Sequence, residues 1–252
     1  MKVLAIIPAR YASTRFPAKP IAMLGSKPIV QRVYEQVAKA VERVVVATDD
    51  ERIYRAVVAF GGEAVMTSTE HRSGTDRCAE AYKRLHCDAD IVINVQGDEP
   101  FIAPSQIATL IECFRDDSTE IATLAKPFAE ADGIEAIENP NAPKVIFDGC
   151  GNAIYFSRSV VPYIRGVERC EWLKHHTFYK HIGIYGFRAD VLKAVTVLPQ
   201  SPLEMAESLE QLRWLEHGYK IKVGITDSET IGIDTPEDLE RAEEFLRKQQ
   251  SL

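Results

Sequence analysis

Residues 1–10 read MKVLAIIPAR, and this stretch decides the fold. Its apolar run, Val3–Ile7, stops at Pro8-Ala9-Arg10. A short, almost wholly apolar run is typical of a strand whose two faces are both covered, as in a parallel sheet. The run is too short for a membrane span and lacks the basic flank and cleavage site of a signal peptide. We therefore expect a buried first strand of the mature protein.

Similar runs alternate with amphipathic helical segments through the N-terminal half. One helix carries an apolar stripe from Val30 to Val41, and a second runs from Asp50 to Phe60 and ends at a Gly-Gly pair. A third begins at Ser73, with Asp76 completing a capping-box pattern. This order predicts an α/β fold, a three-layer sandwich with a mostly parallel central sheet. The predicted strands are Val3–Ile7, Arg43–Thr48, Glu63–Thr67, Ile91–Val95 and Glu120–Ala125.

The second half is less regular. It predicts a hairpin of Lys144–Asp148 and Asn152–Ser157, strands at His181–Arg188 and Lys220–Thr226, and helices at Pro202–Gly218 and Thr235–Leu246. No repeat or low-complexity linker divides the chain, so we predict a single domain over residues 1–252. The stretch Val160–Lys180 is interpreted as a long loop, an insertion or an oligomer contact, and the wider irregular segment at about 128–180 as one that could serve dimerisation.

Composition narrows the class of protein. The chain has 252 residues, with 30 Lys and Arg against 37 Asp and Glu, giving a formal net charge of −7. An acidic chain does not bind nucleic acid through bulk electrostatics. Its five cysteines are scattered without a CxxC spacing, which disfavours a zinc site. An odd number of cysteines is typical of reduced thiols, so we expect a cytoplasmic protein with no membrane or nucleic-acid partner.

The loop after the first strand combines Arg10, Arg15 and Lys19 with the hydroxyls of Ser13 and Thr14. It lies at the carboxyl edge of a parallel sheet, where open α/β folds bind ligands. Arginine and lysine there can hold phosphate oxygens, although the loop contains neither GxGxxG nor a P-loop motif. The alternative interpretation is a solvated basic loop.

Two aspartates are candidate metal ligands. Asp98 follows the fourth strand, and Asp234 precedes the last helix. Mg²⁺ binds one or two carboxylates together with substrate phosphates, so the pair could hold one such ion. Asp98 could instead be a turn residue, and Asp234 an acid that interacts with the helix dipole. The sequence does not show that the two meet.

Two further patterns are consistent with a binding surface for a polyol or sugar. Glu204, Glu207 and Gln211 share a face of the predicted helix Pro202–Gly218, although a solvated face is the usual explanation of such a pattern. His181 and Tyr185 share a strand face, which could be a site wall or a core strand.

Taken together, the motifs resemble those of the CMP-Kdo synthetase family, the 3-deoxy-manno-octulosonate cytidylyltransferases. The matches run in order along nearly the whole chain, and the full set of motifs is far more specific than any single motif. Phe16 and Ala18 depart from the family's commoner loop, which has Leu and Gly there. The matching stretches are Pro8–Arg15 with Pro17 and Lys19-Pro20, Ala47–Asp49, His71–Arg77, Val95–Pro100, Asn139–Asn141 with Lys144-Val145, Tyr155–Arg158, His181–Gly186, Ser201–Glu204, Leu209–Arg213 and Gly232–Leu239.

The resemblance implies a nucleotide-diphospho-sugar-transferase-like fold and a homodimer. It implies a Mg²⁺-dependent transfer of CMP from CTP to 3-deoxy-D-manno-octulosonate (Kdo), with release of pyrophosphate, for lipopolysaccharide biosynthesis. The alternatives are a CMP-sialic acid synthetase, which usually has a Gly-rich loop in place of Tyr11-Ala12-Ser13, and a non-catalytic nucleotide-binding module.

The resemblance also implies residue roles. Arg10, Lys19, Asp98 and Asp234 would be catalytic, and the two aspartates would bind the metal. The expected CTP-binding residues are Pro8, Ala9, Arg10, Ser13, Arg15, Lys19, Ser73 and Gly74. The expected Kdo-binding residues are Arg77, Gln96, His181, Tyr185, Glu204 and Glu210.

Overall fold

The structure, a computed structural model, describes residues 1–12, 15–229 and 231–250. Ser13, which was predicted to bind CTP, lies outside the described residues. The chain divides into two compact units, Met1–Ile107 with Glu229–Leu252, and Ala108–Ser228. Such a division does not show that either unit folds alone, so the single domain stays a prediction. Within the described ranges, no helix has the length and apolarity needed to cross a membrane.

The first unit is a parallel sheet with helices. Strand β1 pairs in parallel with β4 and β6, and β5 extends the sheet beyond β4. The elements up to the boundary between the units are β1 Val3–Ala9, β2 Met23–Leu24, β3 Lys27–Pro28, α1 Ile29–Val37, β4 Arg43–Thr48, α2 Glu51–Ala59, β5 Glu63–Met66, α3 Gly74–Leu85, β6 Ile91–Asn94 and α4 Pro104–Glu112.

The second unit mixes strand directions. Strand β7 pairs in parallel with β11 and antiparallel with β10, while β8 pairs antiparallel with β9 and β10. Its further elements are β7 Ile121–Pro127, α5 Gly133–Glu138, β8 Lys144–Phe147, β9 Ala153–Ser157, α6 Trp172–His175, β10 Tyr179–Arg188, α7 Ala189–Val195, α8 Pro202–Glu207, α9 Gln211–Glu216 and β11 Ile221–Ile225; α10, Pro236–Gln250, then returns to the first unit.

The predicted fold class is confirmed as a mixed α/β fold with a mostly parallel sheet flanked by helices. The apolar runs became strands because both of their faces are covered. Ala5, Ile6 and Ile7 of β1 have no exposed surface, and neither do Val45 and Val46 of β4. Burial on both faces leaves no polar alternation to read, so the runs are nearly continuous in the sequence.

The predicted single helix Pro202–Gly218 is wrong. The chain forms α8 and α9 instead, separated by a turn in which Ser208 is left-handed, with φ 51°. This break removes the common face that Glu204, Glu207 and Gln211 were predicted to share.

The irregular segment at about 128–180 contains a small core of its own. Ile137, Trp172 and Phe178 are almost fully buried together, and the Trp172 indole Nε1 donates to the Val167 carbonyl at 3.0 Å. The segment is therefore packed around an aromatic cluster, although its helices are too short to show a helical period in the sequence. Its use as a dimer contact stays a prediction.

Ala18 adopts a conformation that favours glycine. It has φ 59° and ψ 15° at the start of the 3-10 turn Lys19–Ile21, and its amide donates to the Tyr11 carbonyl at 3.0 Å. A left-handed residue with a Cβ costs roughly 1–2 kcal/mol. The alanine at this position therefore strains the loop that carries Lys19.

We predict that Ala18→Gly stabilises the protein by about 0.5 kcal/mol, because relief of this strain exceeds the extra entropy of glycine in the unfolded chain. Urea unfolding measures the change. Ala38→Gly is the matched control, since Ala38 has right-handed φ −63° and ψ −14°. That variant should lose stability, and equal losses in both variants would contradict the assignment.

Candidate active site

A cavity of about 370 Å³ lies in the first unit, at the carboxyl ends of β1 and β6. Most of the residues predicted for CTP, the metal and catalysis line it, together with two that were predicted for the sugar acid. The lining residues are Pro8, Ala9, Arg10, Arg15, Lys19, Pro20, His71, Arg72, Ser73, Gly74, Arg77, Gln96, Gly97, Asp98 and Asp234.

The two predicted metal ligands meet at one point. The ammonium nitrogen of Lys19 lies 2.6 Å from Asp98 Oδ2 and 3.1 Å from Asp234 Oδ1. A guanidinium nitrogen of Arg15 lies 3.2 Å from the other Asp234 oxygen. The structure therefore brings Asp98 and Asp234 together around the Lys19 ammonium group, with Arg15 as a second cationic partner of Asp234, which the sequence could not show.

Backbone contacts fix this arrangement. The Ile233 amide donates to the Asp98 carbonyl at 2.9 Å, so the segment before α10 is tied to the segment after β6. Asp238 accepts from the amides of Asp234 and Thr235 at 3.0 Å each. These bonds cap α10 and fix the backbone of Asp234 just before the helix. The two carboxylates are held by their neighbours rather than by each other.

Gly97 permits the close approach of these segments. A Cβ built on it would lie 2.8 Å from the Pro8 carbonyl oxygen, a distance that side chains do not tolerate against backbone. The end of β1 and the residue before Asp98 can touch only because position 97 has no side chain.

The N-terminus of α3 forms another side of the cavity. Ser73 caps the helix by accepting from the Asp76 amide at 3.1 Å, and Asp76 Oδ2 accepts from the Ser73 amide at 3.3 Å. The predicted capping box is thus confirmed. A helix N-terminus carries a partial positive charge and free amides, which suit a phosphate group.

Arg77, predicted to contact Kdo, already has hydrogen-bond partners within the protein. It lines the cavity but is only 4% exposed, and its guanidinium donates to Asp49 Oδ2 and Thr67 Oγ1 at 2.7 Å each. These bonds connect α3 to the ends of β4 and β5. Contact of Arg77 with a sugar acid stays a prediction.

His71 and Arg72 also line the cavity, and sequence reasoning gave them no role. The His71 ring pairs with Glu80, which also accepts from the Ser68 amide at 2.8 Å and from Arg84 Nε at 2.7 Å. Partial burial alone would raise the pKa of Glu80, but these donors lower it to about 2. Glu80 is therefore a fixed anion that anchors the loop ahead of Ser73. In the sequence, the only sign that His71 and Arg72 belong to the site is their place in the matched stretch His71–Arg77.

The remaining predicted Kdo residues lie in the second unit. Tyr185 packs beside His181 at 5.5 Å between ring centroids, and Glu204 binds Arg213 through two hydrogen bonds of 2.6 and 2.8 Å. Arg213 also lies 4.0 Å from Glu210, so this cation joins the two glutamates. Gln96 and Arg77 line the cavity of the first unit instead. The role of all six in sugar binding stays a prediction.

Burial governs the protonation of His181 and Tyr185. Burial lowers the pKa of His181 to about 3, and its Nε2 shares a hydrogen bond of 2.9 Å with Thr123 Oγ1. Burial, with the negative charge of Glu210, raises the pKa of Tyr185 well above its usual value. Both side chains are neutral near pH 7, so they can offer hydrogen bonds but no charge.

The family model described as "Cytidylyltransferase" matches residues 4–221. Since that match covers most of the chain, the chain belongs to the cytidylyltransferase family, a class of nucleotidyltransferases.

Within the family, the chain is similar to proteins named 3-deoxy-manno-octulosonate cytidylyltransferase. The one from Phocaeicola vulgatus is 63% identical, over 99% of this chain and 99% of the relative. The one from Bacteroides thetaiotaomicron is 63% identical, over 98% of this chain and 99% of the relative.

Solved structures agree with this placement. CMP:2-keto-3-deoxy-manno-octonic acid synthetase complexed with CTP is 41% identical, with a TM-score of 0.90, over 99% of this chain and 100% of that chain. The 4-diphosphocytidyl-2C-methyl-D-erythritol synthase from Anaerococcus prevotii is 15% identical with a TM-score of 0.62, over 98% of each chain, and shares the fold.

We predict that Gly97→Ala lowers stability by about 1–3 kcal/mol and weakens CTP binding, because the methyl group would push β1 away from the Asp98 segment. Urea unfolding and calorimetric titration with CTP measure the two effects. Gly149→Ala is the control, since a Cβ there meets nothing within 4 Å. Unchanged CTP binding by Gly97→Ala would contradict the assigned contact.

A second prediction concerns His181 and pH. Its folded pKa of about 3 lies below the unfolded value of 6.5, so the unfolded state binds more protons as the pH falls. The contribution of neutral His181 to the free energy of unfolding is therefore complete above pH 6.5. It is lost as the pH falls towards 3, at roughly 1.4 kcal/mol per pH unit.

Wild-type protein should therefore lose about 2 kcal/mol more than His181→Gln between pH 6.5 and 5, as measured by urea unfolding at each pH. The exposed residue His175 provides the control, because His175→Gln should keep the wild-type pH dependence. Parallel pH profiles for wild type and His181→Gln would show that position 181 is not buried as a neutral base.

Proposed function

We propose that this protein transfers CMP from CTP to Kdo and releases pyrophosphate, and thereby makes CMP-Kdo for lipopolysaccharide biosynthesis. The observation that carries the proposal is the cavity in which Lys19 joins Asp98 and Asp234 at the end of β1. The 63% identical relatives named 3-deoxy-manno-octulosonate cytidylyltransferase support the choice of substrates.

The charges around the cavity suit a nucleoside triphosphate. Arg10, Arg15, Lys19 and Arg72 place cationic groups on its lining, and the N-terminus of α3 adds backbone amides. One guanidinium group can donate to two phosphate oxygens at once, whereas an ammonium group binds as a point charge. In the proposal these groups hold the triphosphate and neutralise the pyrophosphate as it leaves.

The residues present also fit Mg²⁺, which we propose as the cofactor. Asp98 and Asp234 both point an oxygen at one cationic centre, the Lys19 nitrogen. Mg²⁺ is usually bound by one or two carboxylates, substrate phosphates and water. Among the described residues, no group of three or more His, Cys, Asp or Glu side chains is placed to hold a metal ion, so phosphate oxygens or water would have to complete the ligand set of the two aspartates. When bound, the metal would withdraw charge from the α-phosphate and lower the pKa of the attacking hydroxyl.

The proposed reaction is an in-line displacement at the α-phosphorus of CTP. The oxygen on the anomeric carbon of Kdo forms a bond to phosphorus, the bond to the bridging oxygen of pyrophosphate breaks, and the hydroxyl proton is released. Such transfers depend mainly on positioning and charge stabilisation. In the proposal Asp98 and Asp234 would hold the metal ion, while Arg10, Arg15 and Lys19 stabilise the leaving pyrophosphate; no side chain is assigned as the base.

A homodimer in the cytoplasm completes the proposal. None of the five cysteines, all of which lie among the described residues, forms a disulfide bond, and this supports a reducing compartment. The dimer is proposed from the resemblance to the family. It would bury Ile154 and Tyr163 if the segment at about 128–180 forms the contact, and these side chains are 58% and 73% exposed.

The decisive experiment is pyrophosphate release with CTP and Mg²⁺, comparing Kdo with sialic acid. We expect rapid pyrophosphate release when Kdo is the acceptor and none when sialic acid is. Preference for sialic acid would favour a CMP-sialic acid synthetase, and CTP binding without turnover on either acid would favour a binding module. The same assay with Asp98→Asn should show turnover reduced about a hundredfold or more, because a metal ligand and charge are lost.

Asp88→Asn is the matched control for that variant. Asp88 is an exposed carboxylate paired with Lys2 and does not line the cavity. It should keep full activity. Near-normal CMP-Kdo formation by Asp98→Asn would overturn the metal assignment.

A further inference from the structure

Lys19 occupies the point where a shared metal ion would bind. Its side chain is 15% exposed, and its ammonium nitrogen contacts one oxygen of each aspartate. Two carboxylates that face one centre repel each other unless a cation lies between them. Lys19 therefore supplies in this structure the charge compensation that the proposed function assigns to Mg²⁺.

The two cations exclude each other. Mg²⁺ binds oxygen at about 2.0–2.1 Å, so an ion shared by Asp98 and Asp234 would fill the position of the ammonium group. Lys19 would then have to move, and its flexible four-carbon stem permits this. An anionic group must accept the displaced charge, and a triphosphate in the cavity lined by Arg10 and Arg72 provides one.

We propose that Lys19 is an exchangeable substitute for the metal ion. It holds Asp98 and Asp234 together in the free enzyme and transfers to phosphate oxygens when the nucleotide brings the metal. The inference rests on the proposed function, and it adds an order of binding: the metal alone binds weakly, and nucleotide and metal strengthen each other's binding.

The first test measures Mn²⁺ binding at constant pH without nucleotide, by electron paramagnetic resonance. Lys19→Met should bind Mn²⁺ at least tenfold more tightly than wild type, because no ammonium competes for the carboxylates. Arg72→Met removes a charge from the same cavity and should change binding less than threefold. Lys27→Met removes a lysine paired with Glu35 away from the cavity and should match wild type.

Binding by Lys19→Met that is no tighter than wild type would overturn the exchange. An equal gain in Arg72→Met would overturn it as well, because general electrostatics would then explain the effect. Adding CTP to wild type separates the two proposals. An Mn²⁺ spectrum identical to that of Mn²⁺ and CTP without protein contradicts the metal site, whereas tight Mn²⁺ binding to wild type without CTP contradicts the exchange alone.

Thermal unfolding without metal provides the second test. Lys19→Met should melt at a lower temperature than wild type. Mn²⁺ should raise the melting temperature of Lys19→Met by more than it raises that of wild type. Combining Lys19→Met with Asp98→Asn should remove the loss, since one carboxylate then needs no partner. If Lys19→Met does not fold, folding of the double variant supports the proposal, and failure of both to fold overturns it.

Discussion

The bridge from Lys19 to Asp98 and Asp234 is the interaction on which the site depends. Lys19 is separated along the chain by 79 positions from Asp98 and by 215 positions from Asp234. Each arrives from a different element: the loop after β1, the turn after β6 and the start of α10. Because β1 lies between β4 and β6, its carboxyl end places Lys19 beside the other two segments. The contact of Gly97 with Pro8 then sets how closely they meet.

The net charge of −7 conceals this arrangement. A total charge describes solubility and long-range attraction, while a site depends on charges within a few ångströms. Here the cavity is lined by Arg10, Arg15, Lys19 and Arg72, and its two carboxylates already have cationic partners. An acidic protein can thus offer a strongly basic cavity to an anionic substrate.

The sequence predicted the elements that follow from local rules. Runs such as Val3–Ile7 and Arg43–Thr48 are buried on both faces, and the capping box at Ser73 and the cap at Thr235 start helices by simple hydrogen bonding. It failed at Ser208, which ends α8 in a left-handed conformation without the glycine that usually marks such a break. Nothing local in the helical pattern encodes that break.

The same distinction applies to the candidate site. The positions of Arg10, Lys19 and Asp98 followed from the rule that ligands bind at the carboxyl edge of parallel strands. The convergence of Asp98 and Asp234 depends on the backbone bond between Ile233 and Asp98, a long-range contact that no sequence pattern encodes. Whether a polar side chain is free or already paired also requires the tertiary structure, as Arg77 and Glu204 show.

The site uses arginine and lysine for different purposes. Arg77 is 4% exposed and binds Asp49 and Thr67 with a fixed fork of donors, so breaking that buried pair would cost about 3–5 kcal/mol. Lys19 joins carboxylates that are 30% and 47% exposed, where an ion pair contributes much less because water can replace either partner. The first pair therefore belongs to the permanent framework. The second is weak enough to open when substrate arrives and strong enough to keep two like charges in place until then.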